Sequence, residues 1–335
     1  MKIAVVYTLR REPLPGQPSD YYAEGDDPRT IDAVVSALST GHDAIAIEDD
    51  SDLCRKLIAA KPDIIFNMAE GVAGEDREAR VPALLELMGI PYTGSTPATL
   101  AMTLNKATAK EILRYHSIPV AQSVIVSRNG HLSEKHGLAL PLMVKPLHEG
   151  SSKGVRDNSL VHAAQELKER ITFIHDTYRQ PALVEEYLPG REFTAAILGN
   201  GDEARVLPLI EINHAALPSG ANPIYSWEAK WVWDTTDKPL DIFLCPAPVD
   251  DTLKERIEQM ALAAYEALRC RDWCRVDLRL DDAGVPHLLE LNPLPGILPG
   301  PADNSCFPKA ARAAGMEYDA LIRTVVEIAR KRYGS

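Results

Sequence analysis

Cysteine is scarce in this chain of 335 residues: five in all, an odd number, with no CxxC pair (Cys54, Cys245, Cys270, Cys274 and Cys306). Cys270 and Cys274 stand four apart near an expected helix end, but zinc would need two more close ligands, and none is found. The cysteines therefore read as buried free thiols. No apolar run approaches the roughly 18 residues of a membrane span. The N-terminus opens directly on a strand, without a signal peptide, so the expected location is cytoplasmic with no membrane partner. Positive charge is also short. Lys+Arg number 36 against 48 Asp+Glu, a net charge of −12, whereas a nucleic-acid binder carries a basic stripe. Internal repeats and low-complexity tracts are missing. So are a GxxxxGK[ST] loop and a GxGxxG turn after the first strand, which argues against Walker-type and dinucleotide sites.

What is present reads as α/β, and the length suits two or three domains. Lys2–Tyr7 is a short apolar run of the buried parallel-strand kind. Thr8 to Pro28, rich in proline, glycine and charge, reads as a long loop. Ile31, Val34, Val35 and Leu38 follow at helical spacing, with Gly41 as a C-cap. Ala44–Ile47 and Asp63–Phe66 continue a strand–helix alternation that predicts a parallel layer. Glu70 to Glu78 is a charged turn before a helix over Val81–Met88, and a further helix starts at Leu104-Asn105-Lys106. Expected domains are 1–104, 105–189 and 190–335. The second holds strands at Val124–Val126, Leu142–Lys145 and Leu183–Tyr187, with a helix over about Leu160–His175. The third opens with Glu192–Leu198, ended by the hairpin signal Gly199-Asn200-Gly201. It continues through a helix over Leu253–Leu268 and ends in one over about Asp319–Arg332. There Arg330, Lys331 and Arg332 read as a solvated face that suits a helix C-terminus.

Two stretches carry chemistry. In Met143–Val155 an apolar strand ends in Lys145 and runs into Gly150-Ser151-Ser152-Lys153-Gly154. Small residues, free amides and hydroxyls there make a nest suited to phosphate. Later, Cys274–Leu280 alternates strictly, and Asp281–Gly284 turns the chain into His287–Asn292. Arg275, Asp277 and Arg279 share one face of the first strand. Glu290 and Asn292 share one face of the second, with Leu289 and Leu291 on the other. Asp277, Glu290 and Asn292 can thus meet as hard oxygen donors of the kind that hold Mg²⁺ on substrate phosphates.

The joint order of Lys145, Gly150-Ser151-Ser152-Gly154, Glu185-Glu186-Tyr187-Leu188, Arg275-Val276-Asp277 and Glu290-Leu291-Asn292 resembles an ATP-grasp enzyme. More closely it resembles the D-alanine–D-alanine ligase family. Gly74-Glu75-Asp76, Leu85–Ser95, Glu192-Phe193-Thr194, Glu228-Ala229-Lys230 and Pro308–Gly315 match further segments of that family. The match runs over most of the chain from Asn67 onward.

The resemblance implies an N-terminal parallel α/β layer followed by two α+β domains that clamp ATP. It also implies roles. Lys106 and Lys145 would hold the phosphates, with Gly150, Ser151, Ser152 and Gly154 closing over them. Glu185, Glu186, Tyr187 and Leu188 would meet the adenine, Glu192 the ribose, and Lys230 the γ-phosphate from a mobile loop. Asp277, Glu290 and Asn292 would hold two Mg²⁺ ions, with Mn²⁺ as a substitute. Arg275 and Gly296 would contact the reacting carbonyl oxygen, and Ser305 the second substrate's carboxylate. Small amino acids would be the substrates, and a homodimer the assembly.

The sequence also departs from the family. The motif that anchors the first amino acid's amine is not recognisable in Thr8–Pro13. Glu70 stands where the family has a histidine, Trp231 where it has an aromatic hydroxyl, and Ile297–Asn304 is long. Glu70 is therefore the candidate anchor for the donor's ammonium. A ligase of the same type with other substrates, and a non-catalytic ATP sensor, stay open as alternatives.

Overall fold

The computed structural model describes residues 1–128, 130, 132, 137–235 and 239–334. The chain opens with β1 (Lys2–Tyr7), α1 (Pro28–Ser39), β2 (Asp43–Glu48), α2 (Leu53–Ala60) and β3 (Ile64–Asn67), then α3 (Arg80–Met88) and α4 (Pro97–Leu104). The strands form a parallel sheet in the order β2-β1-β3. Successive residues of β1 point to opposite faces, and both faces are covered. Ile3 and Val5 join one core with Val34 and Leu38 of α1, while Ala4 and Val6 join a second with Leu57 and Leu85. That is why the strand reads as an unbroken apolar run. Helix α1 begins where Asp27 caps it, its carboxylate accepting the Arg29 N–H at 2.9 Å, with Pro28 in the first turn.

A second sheet follows from α5 (Lys106–Tyr115), β4 (Ser123–Val126), β5 (Leu142–Pro146), β6 (Leu160–Val161), α6 (Ala164–Tyr178) and β7 (Ala182–Glu186), ordered β4-β7-β5-β6. The third contains β8 (Glu192–Leu198), β9 (Arg205–Val206), β10 (Ile210–Ile212) and β11 (Phe243–Leu244). After α7 (Asp251–Ala267) it takes in β12 (Trp273–Leu280) and β13 (Pro286–Asn292). Its path is β11-β10-β8-β12-β13, with β9 pairing β8 through the expected Gly199–Gly201 turn. Helices α8 (Cys306–Ala313) and α9 (Tyr318–Tyr333) return to the first layer, where Leu321, Val325 and Ala329 share a core with Ile3 and Val34. Each of the buried leucine, isoleucine and valine side chains there contributes about 1.5–3 kcal/mol.

Several expectations are corrected. Leu160-Val161 is an edge strand on Leu142 and Met143, not the start of the helix, because tertiary pairing overrides the apolar pattern. Helix α4 was not foreseen, although its Thr96 cap and Pro97 are readable signals. In the hairpin, Asp277 faces Glu290 but Leu278 faces Leu288, so one extra residue bulges from β13. Leu288, not Leu289, therefore enters the core with Leu291, and Leu289 turns to the cleft with Glu290. Cys54 is exposed, and Cys245 and Cys306 are half-buried. Arg332 is not solvated either. It pairs at 2.8 Å with Asp272, whose side chain is wholly buried, and donates to the Tyr92 carbonyl.

That last pair gives a test of how the last helix is fastened. With Arg332→Ala, Asp272 keeps only the neutral donors Gly94 N–H and Asn200. The loss should approach the roughly 3–5 kcal/mol of a broken buried pair, at its low end because Arg332 keeps some solvent. Urea unfolding should show a lowered midpoint at unchanged slope. A loss below about 1 kcal/mol would mean that the neutral donors suffice.

Candidate active site

A cleft of about 240 Å³ is walled by the glycine–serine loop, the 185–188 connection, the β12–β13 face and residues 23–27. Every site residue singled out in the sequence lines it except Gly154 and Asn292. Asn292 lines a smaller cavity beside it, shared with Glu70, Lys106, Lys230 and Arg275.

The lysine wall is built from β5 and α5. Lys145 is the next-to-last residue of β5, and Lys106 and Lys110 lie one turn apart on α5. Lys145 and Lys110 share one carboxylate, Glu185, at 2.6 and 2.9 Å. Burial pushes that carboxyl up, but the two ammonium groups outweigh burial and hold it below its usual range. Glu185 therefore positions lysines; its carboxylate is not free for a base. Lys106 donates to the Glu149 carbonyl at 2.7 Å and pairs with Glu290 at 3.1 Å. Lys110 was missed, though its one-turn spacing from Lys106 could have found it.

On the hairpin, Arg275 donates through Nε and Nη2 to Asp277, the latter at 2.9 Å. Asp277 also accepts from Thr194 Oγ1 at 2.8 Å and from Asn292 Nδ2 at 3.1 Å. Burial raises the Glu290 carboxyl, but Lys106, Lys145 and Arg275 overcome it and bring it down to about 2. Glu290 is thus ionised, and with Asp277 and the free Oδ1 of Asn292 it offers the all-oxygen donor set of a hard divalent cation. This face lies in a half-buried cleft and not on an open surface. Farther along, Arg279 pairs with Glu192 at 2.9 Å and donates to Tyr187 Oη at 2.8 Å, while His214 Nε2 lies 3.1 Å from Glu192. Glu192 is held from two sides.

The loop itself differs from the sequence picture. Ser151 and Ser152 take the left-handed conformation at φ 49° and 58°. Gly150 is required by close approach instead. Its N–H donates to Glu24 Oε1 at 2.7 Å, and a Cβ would stand 2.8 Å from that oxygen. Gly154 (φ 73°) turns away from the cleft, and a Cβ there would meet Pro146 at 2.3 Å. Ser152 Oγ donates to the Tyr225 carbonyl, Trp227 N–H to the Val155 carbonyl, and Trp231 Nε1 to the Ser151 carbonyl. The segment around Lys230 is thereby closed over the loop. Sequence reading missed Asp20 and Glu24, whose partners in the loop lie more than a hundred residues away. The length of the segment was the available signal.

At the other end, Glu70 lines the cleft and makes no side-chain hydrogen bond or ion pair with a described residue. Glu24, Glu70 and Glu78 carry carboxylate oxygens within 4.8 Å of one another. Burial, then Glu24 and Glu78, push the Glu70 carboxyl well up, which is the signature of a carboxylate short of a cation. Glu24 is already paired with Arg77 at 2.5 Å. Ser305 donates to the Gly296 carbonyl and accepts the Leu298 N–H, bracing the 296–305 turn. Arg10 lies over the Trp231 ring at 4.6 Å, also at this end.

Comparison with known proteins converges. A family model described as the D-ala D-ala ligase C-terminus matches residues 112–327. The chain is 36% identical to the uncharacterized protein y4sG of Sinorhizobium fredii, over 96% of this chain and 92% of that protein. It is 33% identical to the D-alanine–D-alanine ligase of Pelotomaculum thermopropionicum, over 91% and 92%. The crystal structure of D-alanine–D-alanine ligase from Bacillus anthracis complexed with ATP superposes with a TM-score of 0.76 at 26% identity, covering 100% of this chain and 99% of that one.

Among the site's cations Lys230 stands apart. Its ammonium has no hydrogen-bond or carboxylate partner among the described residues, only the Trp231 ring at 5.2 Å. Burial, helped by Arg275, lowers it to about 8. At pH 8 roughly half of Lys230 should be the neutral, nucleophilic amine, against well under a hundredth of an ordinary lysine. Brief trinitrophenylation at that pH, mapped by peptide mass spectrometry, should mark Lys230 ahead of Lys110 and Lys145. Labelling in the reverse order would contradict the lowered value.

Proposed function

The chain belongs to the D-alanine–D-alanine ligase family, a group of ATP-grasp carboxylate–amine ligases, and from that membership we propose that it joins two D-alanine molecules, consuming ATP. One observation carries the reading: a single cleft gathers Lys106 and Lys145, the oxygen-donor face of the hairpin, and Arg275 beside Lys230, with Lys110 behind the wall sharing Glu185 with Lys145.

A carboxylate attacking ATP meets a like-charged γ-phosphate. Lys106, Lys145 and Lys230 supply positive charge there, so transfer depends on positioning and electrostatics. Asp277, Glu290 and Asn292 would hold Mg²⁺, or Mn²⁺ in its place, as a pair of ions that neutralise phosphate charge when bound. The acyl phosphate formed is then attacked by an amine, and negative charge grows on a tetrahedral oxygen. Arg275, fixed by Asp277, stays protonated and is aimed to stabilise that oxygen together with the Gly296 turn. The 150–154 loop and the segment bearing Lys230 keep water from the intermediate. Ser305 and its turn would receive the acceptor's carboxylate, and residues 186–188, with Glu192, the nucleoside. The reading divides the chain at about residues 104 and 189. It also carries a homodimer, a cytoplasmic location and a place in cell-wall precursor synthesis.

A second substrate reading rests on the donor end. Arg10, Asp26 and Glu70 line it, more charge than a methyl side chain needs, which favours a ligase of the same type with a polar amino acid. An ADP-release screen over D- and L-amino acids, with mass detection of product, decides between them. The D-alanyl dipeptide is expected; a faster mixed or polar dipeptide would replace it, and ADP release indifferent to every amino acid would return the protein to a sensor.

The donor's ammonium needs a carboxylate in a dry pocket. Glu70→Gln should therefore raise KM for the donor by about tenfold or more, one lost charged contact, with KM for ATP nearly unchanged. Unaltered donor kinetics would remove Glu70 from the site and leave the donor's anchor unassigned.

A further inference from the structure

Residues 8–27 contain no helix or strand, yet one of their side chains is among the most completely enclosed in the protein. Asp20 is 1% exposed, and its carboxylate reaches across to the far side of the glycine–serine loop. Its Oδ2 accepts the Gly154 N–H at 3.0 Å, a hydrogen bond from Arg156 Nη2 at 3.1 Å and one from the Tyr178 hydroxyl at 2.7 Å. These donors come from the end of the loop, from the residue two beyond it, and from the last turn of α6. A backbone amide, a guanidinium and a phenol thus converge on one oxygen.

We infer that Asp20 is a positioning residue for the nucleotide-binding loop, tying its C-terminal end to the N-terminal segment. The inference rests on the ATP reading above, and Asp20 itself does not line the cleft. Gly154 is the point where the loop leaves the cleft in the left-handed conformation (φ 73°), so its amide direction sets the path of Ser151 and Ser152. Arg156 is fixed by the same carboxylate and lies over the Trp227 ring at 4.4 Å. Trp227 in turn donates its N–H to the Val155 carbonyl at 2.7 Å. One buried carboxylate therefore orients the loop and, through Arg156, the segment that carries Lys230. The Asp20 side of the ion pair is wholly enclosed while Arg156 keeps some solvent, and an orphaned Gly154 amide would have to find another acceptor or move. Ordering the loop in advance removes a conformational cost that nucleotide binding otherwise bears.

The direct test is calorimetric titration of ADP with Mg²⁺, without any amino acid, into wild type, Asp20→Ala and Asp20→Asn. Asp20→Ala should weaken ADP by roughly tenfold, the worth of one charge-assisted hydrogen bond. Asp20→Asn keeps an acceptor for Gly154 but loses the charge facing Arg156, and should fall between. It also serves where the alanine variant does not fold. In steady state KM for ATP should rise while KM for the amino acids changes less than about twofold, a split that general loss of structure does not produce. ADP affinity within twofold of wild type in either folded variant would overturn the role, as would an equal rise in every KM. Because ADP is titrated alone, a failure of the D-alanine assignment leaves this result standing.

Discussion

Charge taken out of water has to be matched, and that requirement shapes this protein's cleft more than any packing preference. Lys110 and Lys145 are buried, and each would lose its proton or cost several kcal/mol if left alone. Glu185 answers both at once, from the one strand, β7, that pairs with β5 and β4 together. The second sheet can therefore be regarded as a device that brings one acid between two bases. The same rule governs the hairpin, where Arg275 meets Asp277 and Lys106 meets Glu290. With the interior pairs satisfied, Lys230 and Glu70, which have no ion-pair partner among the described residues, lie along the cleft. A titratable group left unmatched at a cleft wall is one that a ligand of opposite charge can complete.

How much of this was legible in the sequence depended on the range of the interaction. Local patterns were sound guides: β1 and its apolar run, the helical spacing of Ile31, Val34 and Leu38 in α1, and the strict alternation of β12. Motif spacing pointed to the family, because Lys145, Arg275, Asp277 and Glu290 must recur in order whatever the loops do. The bulge in β13 was invisible, since alternation counts residues and a bulge changes the count. The edge strand at Leu160-Val161 and the Arg332–Asp272 pair were equally hidden, because each is decided by a partner far along the chain. Residues 8–27 were the largest omission. A segment rich in proline, glycine and charge gives no periodic signal, yet here its acids reach Gly150, Gly154 and Arg77.

The roles of glycine and serine in the loop show the same division. Of the two glycines only Gly154 takes a left-handed position, at φ 73°, and Ser151 and Ser152 take the two others. A left-handed serine costs of order 1 kcal/mol, and it persists only where surrounding contacts over-determine it. Here they do: Ser152 is fixed to Tyr225, Ser151 to Trp231, and both flanking amides to acids. Gly150 is glycine because Glu24 stands where a Cβ would be, and Gly154 because Pro146 does.

The final consequence concerns what a bound nucleotide must displace. In the cleft, Lys106 is paired with Glu290 and Arg275 with Asp277. On the proposed reading, phosphates and divalent cations arriving together would exchange those pairs without leaving a buried charge alone, Asp277 and Glu290 being the residues that would hold the metal and Lys106 and Arg275 those left to the phosphates. Phosphate arriving alone would strand Glu290 and Asp277, and a cation alone would strand Lys106 and Arg275. Each partial occupation carries the penalty of an uncompensated buried charge. On the proposed reading, the paired arrangement is thus a selection for the metal–nucleotide complex over either component, and it arises from the same matching rule that built the fold's interior.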